Sequence, residues 1–516
     1  MTTSGSPTAA SPQVPDWLPL IVVSVLAAAL QWYATAWGVG VSPDSAEYIA
    51  AARRLHSVSD LFNLPTQWAP GYPVLLALFY STGIDIFAMT RVVQCLLFAG
   101  NVAAAMFLLR QLLPAKSHEQ ATLPLAGGAV LLLSFNLWQV NFYAWSEGPF
   151  LLCNQSSALL LLLWMQRGGA RSLIAAAVLA ALGVLFRYAG VAWVGAAGLA
   201  ILLLSPGAIQ QRLRNALLFG AMSAVPFVLW LVLNKIVRDE TTNRQLVVHL
   251  VNTADMKDLL LQFGSWLGLA QSVILFAVEL ALAVAVYGLA LRRFAAALAP
   301  LRNLVLLSLI YVVVYTVFIL FSKSFIDAYI PLDDRIFVPA WLFAMLGLLS
   351  CAQHLLLTSP AQWPHRISIA ALVVFGLFGM GRLAPMVAIA NESGIGYLGA
   401  YMSSLSKVTD VVELNDKVVY TNAPDYLRMS TDFNVRDYPR KFMPTTQLAN
   451  PEYAMEMQSM RNSVRDGTAL LVHYPDLEWR KYFPTGAELN DLGFKVLLNG
   501  KGVAVFNSPV DTPANQ

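Results

Sequence analysis

Two carboxylates shortly after the first apolar stretch have a spacing that suits proton transfer. Asp44 and Glu47 are three residues apart in the run Ser42-Pro43-Asp44-Ser45-Ala46-Glu47. Ser42 is a suitable helix N-cap and Pro43 fits a first helical turn, so both carboxylates are predicted on one face of a short helix. Such a carboxylate can act as a general base on an acceptor hydroxyl, and the pair could bind a divalent cation. The alternative is structural: Asp44 caps the helix and Glu47 is solvated.

Three cations near the ends of apolar stretches are candidates for binding an anion. Arg187 lies between two short apolar runs. Arg335 directly precedes a different apolar run, and Lys323 directly follows yet another. An arginine at membrane depth is costly unless it lines an aqueous cavity or pairs with an anion. For Arg187, snorkelling to the interface is the alternative.

Further acidic residues stand at the starts of two predicted helices. Glu147 opens one helix, and Asp333 and Asp334 immediately precede another. Because the helix dipole favours a carboxylate at the N-terminus, each of them has a purely structural explanation. The group Asp333-Asp334-Arg335 could equally clamp a ligand.

The composition excludes several classes of protein. Of 516 residues, 57% are hydrophobic and 12% are charged, against roughly 25% charged in ordinary soluble domains. With a mean hydropathy of +0.59, the chain is predicted to be a polytopic helical membrane protein, and its net charge of +3 gives no reason to expect a nucleic-acid partner. The sequence has no P-loop, G-x-S-x-G or H-E-x-x-H motif, and its six histidines do not pair at metal-ligand spacing.

Apolar stretches predict membrane spans and their orientation. At about 20 residues per crossing, eleven spans are predicted, at roughly residues 17–38, 88–112, 121–137, 146–165, 172–186, 190–205, 214–235, 266–291, 303–322, 336–357 and 367–390. If the N-terminus is placed in the cytoplasm, the basic loop residues between Arg110 and Arg366 fall on the cytoplasmic side, as membrane proteins favour. This orientation favours two separate spans around Arg187 and places the acidic candidates together on the outer side.

Charge density divides the chain into two predicted domains. Residues 391–516 hold 12 basic and 15 acidic residues, whereas the first 390 hold 21 and 15. We therefore predict a membrane domain over residues 1–390, with a long first outer loop over 39–87, and a soluble domain over 391–516. Strands are predicted at 418–421, 469–473, 494–498 and 502–506, the last two forming a hairpin across Asn499-Gly500. This pattern is typical of a small α/β domain.

Five segments occur in an order found in one enzyme family. They are residues 43–48 (PDSAEY), 68–79 (WAPGYPVLLALF), 143–150 (YAWSEGPF), 186–190 (FRYAG) and 334–340 (DRIFVPA). In this order they resemble the GT-C-type integral membrane glycosyltransferases, in the bacterial branch that includes the lipid A aminoarabinose transferase and the protein O-mannosyltransferases. The resemblance covers nearly the whole membrane half. It implies a polytopic α-helical domain followed by a small C-terminal α/β domain.

The resemblance also implies an activity. Such enzymes transfer a sugar from a polyprenyl-phosphate donor to a lipid, polysaccharide or protein acceptor, here on the outer side of a bacterial inner membrane. Asp44 matches the family's first-loop catalytic base, but the second acid, adjacent in many members, is Glu47 here. The remaining candidates are Arg187, Arg335 and Lys323 for the donor phosphate and Tyr72, Glu147, Asp333 and Asp334 for substrate binding. A divalent cation at Asp44 and Glu47, and catalysis without a metal, both remain open.

Two other classes of membrane protein remain as alternatives. A transporter or flippase for a lipid-linked sugar needs two-sided access and usually has internal repeats, and no repeat relates the two halves of this sequence. An O-antigen ligase or polymerase typically carries its large loop between late spans, whereas the long loop here is the first. Because the acidic residues gather on one predicted side, the pattern favours an enzyme.

Overall fold

Helices make up the N-terminal part of the chain, and a small sheet lies in the C-terminal part. The computed structural model describes residues 17–113, 119–239, 241–242, 244–266, 273–293, 299–358, 363–403, 417–431, 433–500 and 502–507. The predicted cytoplasmic N-terminal tail, residues 1–16, lies outside these ranges.

Long apolar helices alternate with shorter helices over the first 392 residues. In chain order they are α1 (Leu18–Ala34), α2 (Pro43–Arg53), α3 (Gly71–Tyr80), α4 (Ile86–Gln111), α5 (Glu119–Leu132), α6 (Phe135–Phe142), α7 (Glu147–Arg167), α8 (Ala170–Phe186), α9 (Gly190–Leu204), α10 (Ile209–Arg238), α11 (Thr253–Ser265), α12 (Val273–Arg293), α13 (Ala299–Phe325), α14 (Asp334–Thr358) and α15 (Trp363–Glu392). The chain is therefore a multi-pass membrane protein with a mostly helical membrane half.

The eleven predicted spans all coincide with helices, but their number is not confirmed. Within the described ranges, six helices are long and apolar enough to cross a membrane. A seventh span results if α5 and α6, which meet at a bend of 56°, count as one. Three other predicted spans correspond to the shorter apolar helices α1, α8 and α9, which have 15 to 17 residues. These three helices are shorter than the about 20 residues that a full crossing of the bilayer takes.

Close packing of the membrane half depends on small residues and a few buried polar ones. Ala176 and Ala180 on α8 are fully buried, which lets α7 and α8 approach closely. The Ser157 hydroxyl on α7 donates to the carbonyl of Ala176 at 2.8 Å, and the Trp193 indole on α9 donates to Ser157 at 3.1 Å. These bonds tie together the three helices that carry Glu147 and flank Arg187.

The predicted first outer loop, residues 39–87, contains the helices α2 and α3 and a 3-10 turn (Val58–Asn63). The predicted start of α2 is confirmed, because the Ser42 hydroxyl accepts a hydrogen bond from the Ser45 amide at 3.3 Å. The helix α3 packs so closely on α8 that a Cβ atom at Gly71 would lie 2.6 Å from the Leu185 carbonyl oxygen. Glycine at this position therefore allows the loop to seat against the membrane helices.

The soluble part is a small mixed sheet with helices. Its elements are α16 (Ala400–Ser403), β1 (Val418–Thr421), α17 (Pro424–Ser430), β2 (Asn434–Asp437), α18 (Tyr453–Arg465), β3 (Ala469–His473), α19 (Gly486–Asp491), β4 (Lys495–Gly500) and β5 (Val503–Asn507). The strand order is β2-β1-β3-β5-β4. Strand β1 is parallel to both its neighbours, and β5 is antiparallel to β3 and β4. The prediction of a small α/β fold is confirmed.

Two details of the sheet differ from the prediction. Gly500 pairs with Val503, so the hairpin turn lies two residues later than Asn499-Gly500. Gly502 has a φ of 71°, a conformation that favours glycine. The edge strand β2 was not predicted, because its sequence Asn-Val-Arg-Asp lacks the apolar alternation that marks a strand.

A buried ion pair joins the soluble domain to the segment after α15. The pair consists of Arg480 and Asp425, whose side chains are both nearly inaccessible. Arg480 donates two hydrogen bonds to Asp425, of 2.6 and 2.8 Å. The Tyr397 hydroxyl donates to Asp425 at 2.6 Å. Burial raises the pKa of Asp425, but the hydrogen bonds and charge of Arg480 outweigh burial and hold that pKa below its usual 3.8. This carboxylate therefore stabilises the fold when it is ionised.

The soluble domain is expected to lose stability on acidification through Asp425. Because its folded pKa is depressed, the contribution is complete well above the unfolded pKa near 3.8 and is lost as the pH falls below that value. To measure this dependence, the purified chain is unfolded in urea at pH values from 3 to 7. Protease resistance of the soluble domain reports how much of it is still folded. Asp425→Asn should be less stable at pH 7 and should show a flatter dependence at the acidic end. An equally steep dependence in Asp425→Asn would contradict the assignment.

Candidate active site

Two arginines converge on one buried carboxylate at the start of α7. The Arg187 Nη1 and Arg335 Nε atoms each lie 2.5 Å from the same Oε1 atom of Glu147, whose side chain is 1% exposed. A buried carboxylate is strongly disfavoured unless it is paired. Glu147 therefore holds the two guanidinium groups side by side, although α7, α14 and the α8–α9 junction are distant in sequence.

Asp44 completes the cluster from the first turn of α2. Its Oδ2 atom lies 2.7 Å from the Arg335 Nη1 atom, so Arg335 bridges Asp44 and Glu147. The Asp44 side chain is 33% exposed, against 18% for Arg335 and 1% for Glu147. Of the two carboxylates, Asp44 is therefore the more accessible one.

Aromatic residues before α7 fix the position of Arg335 and of the N-terminus of α2. The Arg335 guanidinium lies 3.9 Å from the Trp145 ring centroid, a cation–π contact. The Trp145 indole donates to the Ser42 hydroxyl at 2.6 Å, and its ring stacks on Tyr143 at 4.4 Å. The Gly40 amide donates to the carbonyl of Phe142 at 2.7 Å. These contacts bring the start of the first loop beside the start of α7.

Arg187 occupies a break between two helices. Its backbone is extended (φ −148°, ψ 129°) where α8 ends. At Gly190, where α9 begins, a Cβ atom would lie 2.8 Å from backbone atoms of Val184, so only glycine allows this tight turn. The chain is broken at Arg187 as predicted, and the break turns the guanidinium towards Glu147.

Glu47 points away from this cluster, towards the soluble domain. Its Oε1 atom lies 3.4 Å from the Arg428 Nη1 atom of α17. Burial raises the pKa of Glu47 above its usual 4.5, and the charge of Arg428 partly opposes this rise. Although Asp44 and Glu47 are one helical turn apart, they have different arginine partners, and the structure does not bring them together.

Tyr72 lies behind the cluster. It is fully buried on α3, and its hydroxyl accepts a hydrogen bond from the Gln94 side chain at 2.8 Å. The same Gln94 amide donates to the Trp145 carbonyl at 3.1 Å. The Tyr72 ring also packs edge-on against Tyr48 of α2 at 5.3 Å. Tyr72 therefore packs against α2 and is linked to Trp145 through Gln94.

The other three sequence candidates line a separate acidic cavity. Lys323, Asp333 and Asp334 border a space of about 430 Å³ together with Asp255, Asp258 and residues of α11. Lys323 donates to the carbonyls of Ala328 and Ile330 at 3.1 and 2.8 Å and lies 3.4 Å from Asp255.

Asp333 and Asp334 both have structural partners. Asp333 accepts a hydrogen bond from the Ile336 amide at 3.0 Å, which caps α14, and burial raises its pKa. Asp334 is 3.2 Å from Arg382 and accepts from Gln262 at 2.6 Å. The clamp predicted for Asp333-Asp334-Arg335 is therefore divided: the two aspartates face the acidic cavity and Arg335 faces Glu147.

The described part of the chain offers no cluster of ligands for a metal. Among those residues, no group of three or more His, Cys, Asp or Glu side chains could hold an ion. Asp44 and Glu47, the pair predicted as possible ligands, are each bound to an arginine instead. Their arrangement here does not fit a shared divalent cation.

Trp145 is the residue that the sequence reasoning missed. Trp145 lies directly before Ser146-Glu147, in a segment that stands out only through its resemblance to a family. Its position in the sequence gives no separate indication of a functional role. In the structure it contacts both Arg335 and Ser42. The assembled site has two guanidinium groups, one buried carboxylate and one accessible carboxylate. Such a site can bind an anionic group and accept a proton beside it.

Solved structures of membrane glycosyltransferases share this architecture. ArnT from Cupriavidus metallidurans bound to undecaprenyl phosphate aligns with a TM-score of 0.60 and 13% identity, over 97% of this chain and 100% of that chain. ArnT in the apo state aligns with a TM-score of 0.59 and 13% identity, over 96% and 99%. The mycobacterial arabinofuranosyltransferase AftD aligns with a TM-score of 0.52 and 14% identity, over 97% of this chain and 42% of that chain.

The match is one of structure and not of sequence. No protein-family model and no curated protein matches the chain. The agreement in structure nevertheless extends over the membrane helices and the C-terminal sheet, since nearly the whole of both ArnT chains is covered. The fold of this chain is that of the GT-C-type integral membrane glycosyltransferases.

Proposed function

We propose that this protein is a glycosyltransferase that moves a sugar from a polyprenyl-phosphate donor to an acceptor outside the cytoplasm. The observation that carries the proposal is the cluster of Asp44, Arg335, Glu147 and Arg187, in which an accessible carboxylate contacts one of two cations that share a buried carboxylate. The fold it shares with ArnT, which has been solved bound to undecaprenyl phosphate, supports this choice of donor.

Asp44 is the general base in the proposed reaction. Its carboxylate takes the proton of an acceptor hydroxyl as that oxygen forms a bond to the anomeric carbon of the donor sugar. The bond between the anomeric carbon and the phosphate oxygen breaks, and its electron pair leaves with the polyprenyl phosphate. Asp44 suits this role because its carboxylate is the exposed member of the cluster.

Arg187 and Arg335 bind the donor phosphate in this proposal. Each guanidinium has five donor hydrogens in a planar fork, a geometry that matches phosphate oxygens. Glu147 uses one oxygen to hold both arginines, so their positions are set before substrate binds. Cations fixed beside the leaving group stabilise the negative charge that develops on it as the glycosidic bond breaks.

Glu147 provides a further point of contact for the substrate. Its Oε2 atom is buried and has no hydrogen-bond partner within the described residues. Leaving a buried charged oxygen unbonded costs at least about 1–3 kcal/mol, so a hydroxyl donor beside this oxygen is strongly favoured. A hydroxyl of the donor sugar fits this position, since the adjacent arginines hold its phosphate.

Analysis of the reaction products tests the proposed function. The full chain, reconstituted in liposomes, is given undecaprenyl-phosphate donors carrying a pentose or a hexose, together with an extract of envelope lipids and glycans. Mass spectrometry should find a single added sugar on an acceptor and an equal amount of free undecaprenyl phosphate. Unchanged donor recovered on the opposite leaflet would instead indicate a flippase, and an added chain would indicate a ligase or polymerase.

The proposed orientation places the soluble domain outside the cytoplasm. Met455 on α18 is 65% exposed and Arg171 at the start of α8 is also exposed, so a cysteine at either position can be labelled. In cells with a permeabilised outer membrane, an impermeant thiol reagent should label Met455→Cys but not Arg171→Cys. The wild-type cysteines Cys95, Cys153 and Cys351, which are buried or partly buried, serve as the background control. Labelling of Arg171→Cys alone would reverse the topology.

A further inference from the structure

The helix that carries Asp44 is held by the C-terminal part of the chain at three places. These are the residues before α2, its buried face, and its C-terminal end. A helix of 11 residues such as α2 is marginally stable by itself, so its packing partners decide where its side chains lie.

The segment after α15 fixes the approach to α2. The Tyr397 amide donates to the Val41 carbonyl at 2.7 Å, and Val41 and Gly396 form a parallel bridge. Gly396 has a φ of 70°, and a Cβ atom there would lie only 2.1 Å from the Val41 carbonyl oxygen. The same Tyr397 binds Asp425 and Arg480 through its hydroxyl. The residues before α2 are therefore tied to the core of the soluble domain.

Helix α17 of the soluble domain covers the inner face of α2. Ala46 and Ile49 on α2 are fully buried, and they share one apolar cluster with Ala423 and Leu427 at α17. Along the edge of this contact, Glu47 is paired with Arg428, which also binds Asp437 at 2.7 Å. The arginine is thus anchored on β2 of the sheet while it holds α2.

The C-terminal end of α2 is held by the same helix of the soluble domain. The Arg53 guanidinium donates to the Met429 carbonyl at 3.0 Å. Glu47 and Arg53 thus contact consecutive residues of α17, Arg428 and Met429. One side of α2 faces α17, and the Asp44 carboxylate on its first turn faces Arg335.

We infer that the soluble domain positions the catalytic base, with Arg428 and Glu47 as positioning residues that set the distance from Asp44 to Arg335. This inference rests on the proposed function, because it assigns a role in sugar transfer to residues that lie outside the cluster. Neither residue contacts the arginines that are proposed to bind the donor. Both act through the position of α2.

Steady-state kinetics of the full chain in liposomes tests the inference. Misplacing a reacting group by about 1 Å can cost about 100-fold, and α2 keeps its apolar contacts when one ion pair is lost, so Glu47→Gln and Arg428→Gln should each lower kcat by about 10-fold. The KM values for donor and acceptor should stay unchanged. Because the two residues form one contact, the double variant should lose no more than either single variant. Arg428→Lys, which keeps the charge, should restore most of the rate.

A matched control and a second measurement separate the possible outcomes. Lys441→Gln breaks an ion pair with Glu488 elsewhere in the soluble domain and should leave kcat unchanged. Amide hydrogen exchange in α2 should be faster in Glu47→Gln and Arg428→Gln than in the wild type. Unchanged kcat in both variants, or losses that multiply to about 100-fold in the double variant, would overturn the inference. A wild type that transfers no sugar from any donor would instead overturn the proposed function, and exchange would still report whether α17 holds α2.

Discussion

Asp44→Asn is expected to lower the turnover number for sugar transfer by about 10²–10⁴-fold, the usual contribution of a general base. Asparagine has nearly the same shape as aspartate, and Ser42, not Asp44, caps α2, so the helix should still form. The amide oxygen can still accept a hydrogen bond from Arg335, but it cannot take a proton at neutral pH. Initial rates at saturating donor and acceptor measure the effect, and thermal stability of the purified variant reports folding.

Glu47→Gln is the comparison that gives the Asp44 result its meaning. Both substitutions remove one negative charge from α2, but only Asp44 adjoins the arginine cluster. A loss much smaller than that of Asp44→Asn, near the 10-fold expected for a positioning residue, agrees with the assignment. An inactive Glu47→Gln beside an active Asp44→Asn would make Glu47 the base. If both variants were active, Asp333 and Asp334 at the acidic cavity would be the next carboxylates to test.

Local features of the site were predictable from the sequence because short-range chemistry determines them. Ser42 and Pro43 define the start of a helix wherever it packs, since a hydroxyl cap and a fixed φ suit its first turn. The segment Phe-Arg-Tyr-Ala-Gly fits either a break between two apolar runs or one long helix, and the basic residues of the other loops favour the break. The first prediction required only neighbouring residues, the second required the charges of distant loops, and both the cap and the break are present in the structure.

Long-range pairings could not be predicted in the same way. Arg335 and Glu147 are 188 residues apart, and Glu47 and Arg428 are 381 apart. The sequence shows that each residue needs a partner but gives no means to choose among the charges on the predicted outer side. For this reason Asp333, Asp334 and Lys323 were grouped with Arg335 as one site, whereas packing of α11 against α14 gives them a cavity of their own. The number of spans is similarly underdetermined, because the lengths of α1, α8 and α9 fall below a full crossing.

Arg335→Gln is expected to lower kcat/KM for the lipid donor by about 10- to 100-fold, because a hydrogen bond to a charged group contributes about 1.5–3 kcal/mol net. Arg335 is the residue that links the two carboxylates, and it is the partner of Asp44. Loss of the Arg335 side chain removes one cation from the donor phosphate and takes away the partner of Asp44. We therefore expect the fall in kcat/KM for the donor to be much larger than the rise in KM for the acceptor. Initial rates at varied donor and fixed acceptor give both quantities.

Arg244→Gln is the matched control for this loss. Arg244 forms an ion pair of 2.6 Å with Asp327 and is 25% exposed, so it resembles Arg335 in contact length and in partial burial. Its substitution should leave donor kinetics close to those of the wild type. Arg187→Gln should behave like Arg335→Gln at the phosphate but should leave Asp44 in place, because Arg187 contacts Glu147 instead. Wild-type donor kinetics in both Arg187→Gln and Arg335→Gln would exclude the cluster as the phosphate site. A loss confined to Arg335→Gln would show that its contact with Asp44, and not the pair of cations, is what the reaction requires.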